Sequence, residues 1–163
     1  MTKEDRESLE KLKKDYIKIQ EKHNLPSFER LNEDFSIEKI AKYETDILIR
    51  EVRKYTAEKL SNYLRFIEAI VNPVNSQPFI FSIISSINQE DKKRLNEMYK
   101  KLAKNEVRLI ETDVSFSEAK EAEFIKKAYE TWQEIKKDLL EVIDSIKRNW
   151  DNKTEGSNKG YFG

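Results

Sequence analysis

The first 155 residues contain no glycine: Gly156, Gly160 and Gly163 are all that the chain has. Two-residue hairpin turns thereby lose the residue that most readily supplies positive φ. No Gly-rich phosphate loop and no G-x-S-x-G nucleophile elbow can be built. Nor does any stretch sustain the apolar–polar alternation of a half-buried strand. Apolar residues recur instead at three- and four-residue spacing, so the chain is expected to be all-α.

Leu9, Leu12, Tyr16 and Ile19 form one such seam. They predict a helix from an N-cap at Thr2 to about His23, stopped by Pro26, which disfavours helical backbone at Leu25. Ser27 is placed to cap a short turn through Leu31, and Ser36 to cap a long helix over 37–71. A third main helix follows Asn88, with Asp91 in the reciprocal capping position, and carries Leu95, Met98, Tyr99, Leu102, Leu109 and Ile110. The fourth begins near Ser115, where Glu118 completes a capping box, and runs to Trp150. Its seam reads Ala122, Ile125, Tyr129, Trp132, Leu139, Ile143, Ile146 and Trp150, interrupted at Lys136. The expected architecture is an elongated, mostly antiparallel helical bundle with four main helices, two short linking helices and a flexible C-terminal tail. One domain is expected over 1–151, with the glycine-containing tail over 152–163.

The 31 Lys and Arg residues balance 31 Asp and Glu, and within Met1–Asn72 the counts are 15 and 15. No basic region gathers to neutralise phosphates, the main source of nucleic-acid affinity, so nucleic acid is not an expected partner. A helical nucleic-acid-associated protein would need Lys92, Lys93, Arg94, Lys100, Lys101 and Lys104 on one face. Cysteine is absent, which removes disulfides, thiolate metal sites and a cysteine nucleophile. The opening "MTKEDRESLEKLKKDY" is charged throughout, unlike a signal peptide. No apolar run exceeds three residues, against the ~20 of a membrane-spanning helix. A soluble, cytoplasmic protein without membrane insertion is expected. Its wealth of Lys, Glu and Ile follows a composition common in heat-adapted proteins.

The candidates for chemistry are few. His23, the only histidine, falls in the last turn of the first helix, where a cation suits the helix dipole. It reads as a packing residue, and one histidine cannot supply the paired Glu-x-x-His of a di-iron bundle. Glu118–Glu121 ("EAKE") and Glu141–Asp144 ("EVID"), with 19 residues between them, resemble the E-x-x-E and E-x-x-D signature of the all-α nucleoside triphosphate pyrophosphohydrolases. That resemblance implies a metal-dependent enzyme using carboxylates between helices. In that family the two halves face each other from different helices. Here, on one continuous helix, Glu121 and Glu141 would stand about 30 Å apart. Glu44 and Glu51 fall on the arc of Ile37, Ile40, Leu48, Val52 and Tyr55. Being ~10 Å apart, they would need acids from another helix to hold a metal, and pairing with Lys or Arg is the simpler reading. No catalytic residue, metal ligand or cofactor emerges.

One segment stands apart. Residues 69–89, "AIVNPVNSQPFIFSIISSINQ", carry no charge in a chain that is 38% Asp, Glu, Lys and Arg. Pro73 ends the long helix, "NPVNSQP" is an irregular turn, and 79–87 fit a short helix with Ile80, Ile83, Ile84 and Ile87 on one side. Phe79 and Phe81 project elsewhere. Burying a Phe contributes ~2 kcal/mol, so something should cover them. The cover is the end of their own bundle, a second copy or another protein, or a membrane surface. The last is least suited, because flanking Lys, Arg and Trp are missing. Phe79, Ile80, Phe81 and Ile84 are therefore the candidate partner-binding residues. The expected function is non-catalytic protein interaction, as an adaptor, assembly or regulatory protein.

Overall fold

A computed structural model of the chain describes residues 3–74 and 77–158. Among them there is no strand. The helices are α1 (Lys3–His23), α2 (Phe28–Phe35), a 3-10 helix (Ile37–Lys42), α3 (Leu48–Val71), α4 (Pro78–Ser85), α5 (Gln89–Val114) and α6 (Glu118–Asn158). The fold is thus all-α with four long helices, as expected, and three short ones, the 3-10 helix being additional to the two anticipated. The anticipated Thr2 cap, the turn residues Asn75 and Ser76, and tail residues 159–163 lie outside the described residues.

Without glycine, left-handed backbone falls to Asn24 (φ 53°) and Ser36 (φ 54°). Asn24 closes α1: the Leu25 N–H reaches back to the Gln20 carbonyl at 3.1 Å, a Schellman closure in which Asn replaces Gly. Leu25 is then buried, and the Tyr16 hydroxyl donates to the Pro26 carbonyl at 2.6 Å. Burial pushes the Tyr16 phenol well above its ordinary pKa.

Ser36 overturns the expected 37–71 helix. It terminates α2, its N–H donating to the Asn32 carbonyl at 2.9 Å, and its side chain caps nothing. Asn32 does the capping instead, its Oδ1 accepting from the Glu38 N–H at 2.8 Å. Only a 3-10 helix succeeds it, and Tyr43 is extended (φ −146°, ψ 156°). The Ile47 N–H donates to Thr45 Oγ1 at 3.3 Å, a local side-chain bond of the kind that competes with helix. α3 starts afresh when the Ile47 carbonyl accepts from the Arg50 and Glu51 amides.

The chain divides into two compact units, one from 1–61 and 104–131, the other from 62–103 and 132–163. In the first, α3 and α5 run antiparallel, with Ser61 bonded to Glu106 at 2.7 Å and Arg53 paired with Asp113 at 2.8 Å. Its core includes Tyr16, Leu31, Ile37, Ile40, Val52 and Ile125. In the second, Arg94–Glu141 (2.9 Å) and Lys101–Glu134 (3.0 Å) set α5 antiparallel to α6. Ile67, Leu95, Met98, Leu102, Ile135 and Val142 are buried there.

Two expected seams are corrected. Along α6 from Ile125 onward the buried residues are Ile125, Ala128, Trp132, Ile135, Leu139 and Val142, at unbroken three-four spacing, and Glu121, Ala122 and Phe124 are buried before them. Tyr129, Ile143, Ile146 and Trp150 are only half-buried. Of the expected seam, Ala122, Ile125, Trp132 and Leu139 are buried, and the apparent interruption at Lys136 disappears. In α5, Ile110 is exposed while Asn105 and Thr112 are buried. Those two have partners: Asn105 Nδ2 donates to Thr131 Oγ1 at 2.8 Å, and Thr112 Oγ1 to the Arg108 carbonyl at 2.9 Å. Finally, α6 continues past Trp150, the expected end, to Asn158. Gly156 is accommodated there, since one helical Gly costs only ~1 kcal/mol relative to Ala.

Candidate functional site

Pro78 opens α4 at its first position, where a missing N–H forfeits no helical bond. At the far end the Ser85 hydroxyl donates to the Ser82 carbonyl at 2.8 Å and the Ser86 hydroxyl to the same oxygen at 3.2 Å. Asn149 Nδ2 from α6 donates to the Ser86 carbonyl at 2.8 Å, fastening the helix end. The serine hydroxyls are thus engaged with carbonyls, and none lies beside a base that could activate it.

At about 100° per residue, Ile80, Ile83 and Ile84 share an arc of α4, and Phe79 and Phe81 flank it on opposite sides; Ile87, expected on the same helix, lies beyond its end at Ser85. Ile83 and Ile87 are buried, and Ile80 and Ile84 half-buried. Phe79 is 60% exposed and Phe81 52%. The Phe79 ring lies 6.2 Å from that of Trp150, tilted by 47°, so it is supported on one side and open on the other. A cavity of about 230 Å³ adjoins the arc, lined by Ile70, Val71, Pro73, Ile84, Ile87 and Leu95 with Lys92 and Asn96. α4 therefore presents an uncharged, aromatic, partly open surface suited to apolar contact.

The acidic candidates do not converge. Glu44 lies exposed in the break before α3, so it shares no helical arc with Glu51. Glu51 pairs with Lys54 of its own helix at 2.7 Å. Both E-x-x-E and E-x-x-D strings fall on α6, and their carboxylates engage bases. Glu118 meets Lys22 (2.7 Å) and His23 (3.1 Å), Glu141 meets Arg94 (2.9 Å), and Asp144 meets Lys147 (3.7 Å). The Lys22 ammonium first, then His23, holds the Glu118 carboxyl below the usual carboxylate range. Among the described residues no group of three or more His, Asp or Glu could hold a metal ion. Of the basic residues on α5, Arg94, Lys100 and Lys101 are likewise held in ion pairs.

A buried charge cluster is the feature that sequence reading missed. Glu121 is fully buried and Arg53 nearly so. Arg53 Nε donates to Glu121 Oε2 at 2.8 Å, and its Nη2 meets Asp113 Oδ1 at 2.8 Å. Glu121 Oε1 has only Arg50 Nε, at 3.6 Å, and neither atom has a hydrogen bond. The Arg50 guanidinium lies 4.1 Å over the Phe116 ring, a cation–π contact. A signal existed: Glu121 stands four residues before Ile125, in line with the α6 seam. Two cations balance two anions, which makes the cluster structural chemistry rather than a source of reactivity.

Fold and surfaces define an all-α helical protein with a charge-neutral ion-pair cluster centred on the buried Arg53 and Glu121. No helix among the described residues is long and apolar enough to cross a membrane. No family model, no curated protein and no solved structure matches the chain significantly.

Proposed function

We propose that this is a non-catalytic helical protein-interaction protein, serving as an adaptor, assembly or regulatory component, and that α4 is its docking helix. The supporting observation is the exposure of Phe79 and Phe81 on a helix that carries no charge. Uncharged aromatic surface of this kind forms the cores of interfaces. The half-buried Ile80 and Ile84 extend the surface towards the adjoining cavity, which has room for an apolar side chain of the partner.

The double variant Phe79→Ser/Phe81→Ser tests the reading. The variant is expected to stay folded, with a melting temperature within a few degrees of wild type. In sedimentation and affinity capture it should lose association, because interface anchors cost ~2 kcal/mol or more when truncated. A stability loss of several kcal/mol with association unchanged would sink the proposal.

A further inference from the structure

The C-terminal half of α5 is inverted in polarity. Its inward face holds Asn105 and Thr112, both buried, while Val107, Ile110 and Val114 are 67%, 59% and 82% exposed. At about 100° per residue those three lie within a ~60° arc, opposite the inward face. Their three-four spacing is that of successive a, d and a positions of a heptad. An outer helix face normally carries charge, and in this chain charged residues are abundant.

We propose that this stripe is the seam of an antiparallel homodimer, with α5 laid against α5 of a second copy. The flanking charges select both partner and direction. Lys104 and Glu111 flank the seam on one side, at e positions, and Glu106 and Asp113 on the other, at g. Parallel pairing would set g against e, bringing Glu106 opposite Glu111 of the second copy on both sides of the dimer, a repulsion. Antiparallel pairing sets e against e. With Val107 layered on Ile110 of the second copy, Lys104 comes opposite Glu111 of that copy, and the two-fold axis repeats the pair. Antiparallel pairing also sets g against g, with Glu106 opposite Asp113 of the second copy, but that repulsion is weakened because Asp113 is paired with the Arg53 cation of its own chain at 2.8 Å, while Glu106 accepts from the neutral Ser61 hydroxyl at 2.7 Å. Lys104 is exposed and has no ion-pair partner among the described residues, and Glu111 has only Lys120 at 3.9 Å. So short a seam buries far less than a standard interface of ~1,600 Å², so the dissociation constant should be on the order of 100 μM. This surface is distinct from α4 and does not rest on the reading of that helix.

Sedimentation equilibrium on the full chain up to about 500 μM tests it. Wild type should show a monomer–dimer equilibrium, and Ile110→Glu should be monomeric with an unchanged melting temperature, since the side chain is exposed. Glu111→Lys should weaken the dimer roughly tenfold by facing Lys104 with another cation, and Lys104→Glu/Glu111→Lys should restore it. A wild type that stays monomeric overturns the proposal. So does a dimer indifferent to Ile110→Glu, or one abolished only by Phe79→Ser/Phe81→Ser. Tightening by Glu111→Lys would indicate parallel pairing and overturn the antiparallel arrangement.

Discussion

Arg53 of α3 donates from Nε to Glu121 of α6 at 2.8 Å, and the carboxylate it meets is fully buried. Isolated, a buried carboxylate would lose several kcal/mol of hydration. The second Arg53 contact, to Asp113 at 2.8 Å, ties α5 into the same cluster. Three helices are thereby joined at one point.

Glu121→Ala is expected to destabilise the protein by about 3 kcal/mol, because it leaves Arg53 buried without its main counter-charge. Arg53→Met/Glu121→Leu should recover much of that loss, since apolar groups of similar volume remove both desolvation costs. Urea denaturation of the two variants measures both. A loss under ~1 kcal/mol for Glu121→Ala would mean that water reaches the cluster in solution.

Trp132→Ala should cost ~3–5 kcal/mol. The ring is buried in the α6 seam and stacks on Tyr63 with centroids 5.0 Å apart. Tyr63→Leu should cost less, because Tyr63 is only half-buried. Chemical melts that rank the two variants in the reverse order would contradict the packing described.

Asn88→Ala should cost ~1 kcal/mol through loss of the α5 N-cap. Asn88 Oδ1 accepts from the Asp91 N–H at 2.8 Å, and Asp91 Oδ2 in turn accepts from the Ser145 hydroxyl at 2.6 Å. Asn88→Ser, which can still accept, should retain most of the stability. If Ala and Ser behave alike in thermal melts, the cap is not the operative contact.

Glu118 gives a pH dependence of definite sign. Lys22 and His23 lower its folded-state pKa, so its contribution is present above the ordinary Glu value of ~4.3 and fades as pH falls through the lowered one. Wild type should therefore exceed Glu118→Gln in stability near neutrality, and the gap should narrow steadily as pH falls below ~4.3. Urea midpoints from pH 7 to pH 3 check this. A gap that stays constant across that range would show that the carboxylate charge contributes nothing.

Much of the helix inventory was legible in the residues. Ser27, Asn88 and Pro73 marked helix ends by local chemistry that operates within a few residues. The 37–71 helix failed because the Ser36 backbone closes α2 in the left-handed region, and the Asn32 side chain then caps the 3-10 helix. Neither competing bond is visible in a hydrophobic period. α4 was legible in outline, including the divergence of Phe79 and Phe81. The exposure of Ile110 was not, and the burial of Glu121 was signalled only by its place four residues before Ile125 in the α6 seam.

The sequence by itself determined that the chain is helical, and roughly where its helices lie. Helical hydrogen bonds, caps and three-four spacing are all local, and the lack of glycine before residue 156 removes the usual means of turning back into hairpins. Which stripe of α6 faces inward was decided only by the tertiary structure. Ile125, Trp132 and Leu139 fit two neighbouring seams equally well, and packing against α3 and α5, whose residues are distant in sequence, chose between them. The same packing buried Asn105, Thr112 and Glu121, because each found a polar partner that replaced water. It left Val107, Ile110 and Val114 outside, because no other part of the described chain reaches that face.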